Sequence, residues 1–70
     1  MDNIVEFWLE SLNLNHHFEA FVDNGYDDLE TCKQIRRVDM DVLGIITARD
    51  RDRISRAVIE LEVGGATQVR

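Results

Sequence analysis

Apolar residues recur along most of the chain at i, i+3, i+4 and i+7, the spacing that places them on one side of a helix. With no proline in the chain and few clusters of β-branched residues, this pattern predicts short helices throughout and no strand. Five are expected. The first follows the N-cap candidate Asn3 and carries Val5, Trp8, Leu9 and Leu12 on one stripe, with Phe7 on the opposite side. The second begins near Asn15, holds Phe18, Phe21 and Val22, and ends at Asn24 and Gly25, residues suited to a left-handed C-terminal turn. Asp27 and Asp28 precede a third helix of about two turns, in which Leu29, Cys32 and Ile35 recur every three residues. Asp39 is the cap candidate for a fourth helix holding Met40 and Leu43, which Gly44 stops; Ile45 and Ile46 then lead into a turn. Thr47 and Asp50 form a variant capping box before a longer fifth helix with Ile54, Ala57, Val58 and Leu61 on one face. Gly64 and Gly65 are expected to end it.

These elements make a compact all-α, five-helix bundle over residues 1–63, with 64–70 as a flexible tail or the start of a linker. A 70-residue core has little stability to spare, because ordering costs roughly 1.5 kcal/mol per residue. A binding module is therefore favoured over an enzyme with a strained catalytic site. The lone cysteine, Cys32, cannot close an intrachain disulfide, and no signal-peptide pattern opens the chain, so a cytoplasmic setting is expected. No apolar run approaches the roughly 20 residues that cross a bilayer, so no membrane association is expected.

The order and residues of these helices resemble the sterile alpha motif (SAM) domain family over about Ile4 to Leu61. The resemblance rests on Val5, Trp8, Leu9, Leu12 and Leu14, on Phe18 where the family usually has tyrosine, and on Phe21 and Leu29. It continues through the Asp39-Met40 pair, Leu43-Gly44-Ile45, and Arg51 and Ile54. The resemblance implies a helical interaction module that binds protein partners without catalysis. The segment Asn24-Gly25-Tyr26-Asp27-Asp28-Leu29-Glu30 is similar to one in the SAM domains of adaptors and lipid phosphatases that dock onto the SAM domains of Eph receptor tyrosine kinases. There the aromatic and the two acids belong to a mid-loop surface, which meets the partner's end-helix surface, formed by the start of its last helix and the preceding turn. Carried onto this chain, the mid-loop candidates are Asp23, Gly25, Tyr26, Asp27, Asp28, Glu30, Thr31, Asp39 and Asp41.

Charge points the same way. The chain carries 14 acids against 8 lysines and arginines, a formal charge of -6. Residues 1–35 hold eight acids and one base, while residues 36–70 hold six acids and seven bases, giving -7 and +1. From Glu19 to Glu30 there are five acids and no base. Such a patch can steer a basic partner, though an acidic run is more often only a solvated face, and Asp27 and Asp28 can be simple helix caps. Tyr26 tips the balance, because an aromatic within a polar rim is an arrangement that interface hot spots favour. The alternative for Tyr26 is a core residue whose hydroxyl reaches water.

Arg49, Arg53 and Arg56 lie at i, i+4 and i+7 on the fifth helix and form a second candidate surface of end-helix type. Against the family pattern, Arg49 replaces a close-packing glycine, Asp50 a common histidine, Asp52 a common base and Ser55 a leucine. The first three weaken that surface, and Ser55 either costs core packing or lies at the core edge. The acidic surface is thus the working one, and a self-associating head-to-tail scaffold is the second reading. RNA-hairpin binding, known for some SAM domains, is remote at a charge of -6, and no nucleic acid is expected as a partner. No cofactor or small-molecule substrate is expected, since no glycine-rich phosphate loop is present. Adjacent His16 and His17 should diverge by about 100° on a helix and form no metal site. Cys32 reads as a buried small hydrophobe. Phe7 is either a second contact or, preferably, a residue packed under the N-terminal arm or against Ile59 and Val63.

Overall fold

The Asn3 carboxamide oxygen accepts from the Val5 amide at 2.8 Å and starts the first helix, α1 (Ile4–Ser11), as the sequence predicts. The computed structural model describes residues 3–67. A 3₁₀ turn at Asn15–His17 leads into α2 (Phe18–Asp23), so the second helical segment does begin at Asn15, in a tighter winding. Then come α3 (Leu29–Cys32), α4 (Arg37–Val42) and a long α5 (Ala48–Thr67). Thr47 Oγ1 accepts from the Asp50 amide at 3.2 Å and caps α5.

Three of the helix exits use one device. Asn13, Gly25 and Gly44 sit at φ +64, +87 and +80, and the amide of the residue after each donates back five positions. These bonds are Leu14 to the Leu9 carbonyl (2.8 Å), Tyr26 to Phe21 (2.7 Å) and Ile45 to Met40 (2.9 Å). The reversal turns the next side chain inward: Leu14 and Ile45 are fully buried, and Tyr26 half-buried. Glycine marks two of these turns in the sequence. Asn13 escapes that reading, although asparagine tolerates the left-handed region better than most residues.

The core gathers Val5 and Leu9 of α1, Leu14, Phe21, Cys32, Ile35, Met40, Leu43, Ile45, and Ile54 and Val58 of α5. Phe21 is the largest fully buried side chain, and Trp8 and Tyr26 meet its ring edge-on at 6.4 and 6.0 Å between centroids.

Several expectations change. Val22 lies 43% exposed, because α2 is under two turns long and Phe21 alone points to the centre. Asp39 occupies the third position of α4 instead of its N-cap, and its carboxylate reaches back to accept from the Arg36 amide at 2.9 Å. Ser55 is half-buried, so it lies at the core edge. Phe7, Ile59 and Val63 are each more than half exposed and do not cover one another. The N-terminal arm that could cover Phe7 lies outside the described residues. Finally, α5 continues through Gly64 and Gly65 to Thr67. Glycine in a helix costs about 1 kcal/mol against alanine and stops it only where the backbone turns left-handed. Residues 68–70 of the expected tail lie outside the described residues.

Candidate protein-interaction surface

The α2–α3 connection carries most of the predicted acidic surface. Asp23 ends α2, Gly25 makes the left-handed turn, and Tyr26, Asp27 and Asp28 follow. Asp23, Asp27, Asp28 and Glu30 are exposed, whereas Tyr26 and Thr31 are half-buried. Tyr26 therefore meets both descriptions: one edge of the ring belongs to the core against Phe21, and the rest faces outward among acids. Burial raises the phenol pKa above 10.0, and the charge of the nearby Asp39 carboxylate pushes the same way. Asp39 thus joins Tyr26 from α4, a juxtaposition that only the fold creates.

The two central acids differ. Asp28 is the N-cap of α3, accepting from the Thr31 amide at 2.7 Å. That bond, seconded by the Thr31 hydroxyl, lowers the Asp28 pKa below 3.8. Asp27 caps nothing. Only its backbone carbonyl is engaged, accepting from Asn3 Nδ2 at 3.5 Å, so its carboxylate is free for a partner among the described residues. Glu30 pairs with Lys33 at 3.2 Å. Asp41 stands apart from this group, ion-paired to Arg51 at the start of α5.

The arginine stripe is largely committed to the domain itself. Arg53 Nη1 donates to the Leu12 carbonyl at 3.0 Å, tying α5 to the end of α1, and Arg56 pairs with Asp52 at 3.1 Å. Arg51 Nε donates to the Ile45 carbonyl at 2.8 Å. Arg49 is exposed and makes no ion pair among the described residues.

The remaining polar chemistry is sparse. Burial pushes the Cys32 thiol up to about 12, with Asp28 and Asp27 adding to the shift, which leaves it un-ionised near neutrality and a poor nucleophile. His16 and His17 do not diverge as predicted: in the 3₁₀ turn their rings lie 4.2 Å apart at 41°. Among the described residues no three His, Cys, Asp or Glu side chains cluster as a metal site requires, and no helix is long and apolar enough to cross a membrane.

These five helices, with the acidic connection and the long last helix, can be set beside known families. A family model described as "SAM domain (Sterile alpha motif)" matches residues 2–62. The chain belongs to the SAM domain family. SAM domains are generally protein-interaction modules and typically non-catalytic, so protein partners, including other SAM domains, are the chemistry to seek on this surface.

His17 should make the SAM domain less stable in mild acid. Its pKa is lowered from 6.5, first by burial and then by His16, with the Asp50 charge and the Leu43 backbone opposing. With the folded pKa below the unfolded one, the unfolded chain binds the proton first. The His17 contribution to stability is therefore fully present above 6.5 and is lost as the pH drops from 6.5 through the folded value. Urea midpoints measured across this range should decline on acidification, and His17→Gln should flatten the decline. An unchanged slope in the variant assigns it elsewhere.

Proposed function

We propose that this SAM domain binds another SAM domain by presenting its acidic α2–α3 surface to a basic end-helix surface on the partner. One observation carries the reading: the exposed acids Asp23, Asp27, Asp28 and Glu30 surround a half-buried Tyr26, with no base between Glu19 and Glu30. Asp39 and Thr31 complete the surface, while Gly25 sets the turn that presents it. Asp41 contributes less, being paired with Arg51. An interface of this kind buries on the order of 1,000 Å² and is weakened by salt, since its rim charges are screened.

The partner class is narrowed by resemblance. Asn24 to Glu30 is similar to the docking segment of adaptor and lipid-phosphatase SAM domains that bind Eph receptor SAM domains. Phe21 to Ile35 also resembles the SAM domain of the protein called sterile alpha motif domain-containing protein 5. An Eph-type receptor SAM domain is accordingly the first partner to test. This makes the chain a non-catalytic adaptor module acting in the cytoplasm.

Head-to-tail self-association is the second reading. Exposed Arg49 favours it, whereas Arg53 and Arg56 are already engaged by Leu12 and Asp52, which leaves less positive charge to receive the acidic patch. RNA-hairpin binding has still less support at a charge of -6.

The test is a ¹⁵N–¹H NMR titration of this domain with Eph receptor SAM domains. Saturable shifts confined to Asp23–Thr31 and the neighbourhood of Asp39 are expected. Shifts confined to α5 would refute the acidic surface. Sedimentation of the free domain at rising concentration should give a monomer, and concentration-dependent growth would move the assignment to the self-associating scaffold.

A further inference from the structure

Beside α4 the structure opens a concave surface. A groove of about 560 Å³ lies between the α3–α4 segment and the edge of α5 formed by Ser55, Val58, Ile59 and Glu62. The buried core residues Ile35, Met40 and Val58 lie beneath it, and exposed Ile59 is its accessible apolar wall. Ser55 also lines it, and this short side chain leaves the space unfilled. Three cations, Lys33, Arg36 and Arg37, edge one rim, while Glu62 is the acid on the lining.

Two of those cations are unspent. Arg36 and Arg37 are exposed, and neither forms an ion pair or side-chain hydrogen bond among the described residues. The arginines Arg51, Arg53 and Arg56 are by contrast engaged with Asp41, Leu12 and Asp52. Guanidinium groups present paired donors matched to carboxylates, and beside an apolar wall they favour a ligand that brings both charge and hydrocarbon.

We propose that this groove binds an acidic peptide segment that seats an apolar side chain against Ile59, above the buried Ile35, Met40 and Val58, and places its carboxylates against Arg36 and Arg37. Concavity favours an extended or single-helix segment over the convex face of a folded domain, and the volume suits a few side chains. Glu62 sets the polarity, repelling acids from its own end of the groove. The site shares no lining residue with the acidic surface but borders it, since Lys33 pairs with Glu30 at 3.2 Å and the Arg36 amide donates to the Asp39 carboxylate at 2.9 Å.

The probe is a fluorescein-labelled peptide, Glu-Glu-Leu-Leu-Glu-Glu, read by anisotropy and by NMR on the whole chain. Saturable binding is expected, with amide shifts at Lys33–Arg37 and Ser55–Glu62. Arg36→Glu with Arg37→Glu should weaken it at least about tenfold, since reversing a charge contact replaces attraction by repulsion. Arg36→Gln with Arg37→Gln is a milder form that also should lose binding. Ser55→Leu fills the groove without altering charge and should weaken binding while circular dichroism shows the fold retained. Asp23→Lys with Asp27→Lys should not weaken it, which separates this site from the acidic surface. The proposal is overturned if binding is undetectable, if it survives the arginine variants, or if the shifts map elsewhere. It is also overturned if Lys-Lys-Leu-Leu-Lys-Lys, inorganic phosphate or phosphatidylserine vesicles bind as tightly, the last two assigning the site to a free anion or a lipid surface.

Discussion

Phe21→Ala is expected to leave the domain largely unfolded at room temperature, with its cooperative urea transition lost or displaced to very low denaturant. Phe21 is fully buried, and Trp8 and Tyr26 pack edge-on against its ring. Removing a buried phenylalanine ring costs about 3–5 kcal/mol in transfer and cavity terms. At about 0.05–0.15 kcal/mol per residue, a chain of 70 residues has about 3.5–10.5 kcal/mol in total, and a small single core sits toward the lower end, where this loss consumes most of it. Phe21→Leu keeps most of the volume and should cost under about 1.5 kcal/mol, so the contrast isolates the cavity from the loss of the ring. Since Tyr26 leans on Phe21, the leucine variant should remain folded yet bind a SAM partner less well. A wild-type urea midpoint for Phe21→Ala would mean that the core is organised around some other residue.

Asp23→Lys with Asp27→Lys is expected to weaken binding to a SAM domain with a basic end-helix surface by at least about a hundredfold. Each change places like charge against the partner, a juxtaposition that strongly disfavours docking. The folded state should be untouched, because neither carboxylate caps a helix or forms an ion pair among the described residues. Asp28 requires different handling. Asp28→Lys removes the α3 cap together with the charge, so lost binding would not distinguish contact from local unfolding. Asp28→Asn keeps a capping oxygen and removes only the charge. It should weaken binding less than the double lysine variant, while α3 amides keep their hydrogen-exchange protection. Calorimetric titration at low and high salt measures both effects, and undiminished affinity in the double variant would remove the acidic patch from the interface.

Legibility followed the range of the interactions involved. The α1 stripe of Val5 and Leu9 and the α5 stripe of Ile54, Ala57 and Val58 were readable because helical periodicity is local and each stripe needs only a neighbour to cover it. The turns at Gly25 and Gly44 were readable because positive φ selects glycine. Asn13 adopts the same conformation with a side chain that many conformations tolerate, so its left-handed turn left no clear mark. Val22 and Asp39 were misplaced because α2 and α4 are six residues each, too short for periodicity to set which side faces inward or which residue begins the helix.

The candidate surfaces divide in the same way. The run of acids from Glu19 to Glu30 was visible in the sequence, since charge density along one segment needs no fold to be counted. The different duties of Asp27 and Asp28 were not visible, because both suit a cap and only the backbone path chooses Asp28. The basic groove was hidden because Lys33, Arg36 and Arg37 fall across the break between α3 and α4, where helical spacing carries no directional meaning.

By itself the sequence determined the all-α class, the main apolar faces, two helix stops and the sign of the α2–α3 segment, all properties of neighbouring residues. Only the tertiary structure decided that Tyr26 is shared between core and surface, that Asp39 joins it, that Arg53 is tied to Leu12, and that a groove opens beside Arg36 and Arg37. Each of these depends on segments distant along the chain meeting in space, where burial and charge are set by whichever element arrives opposite.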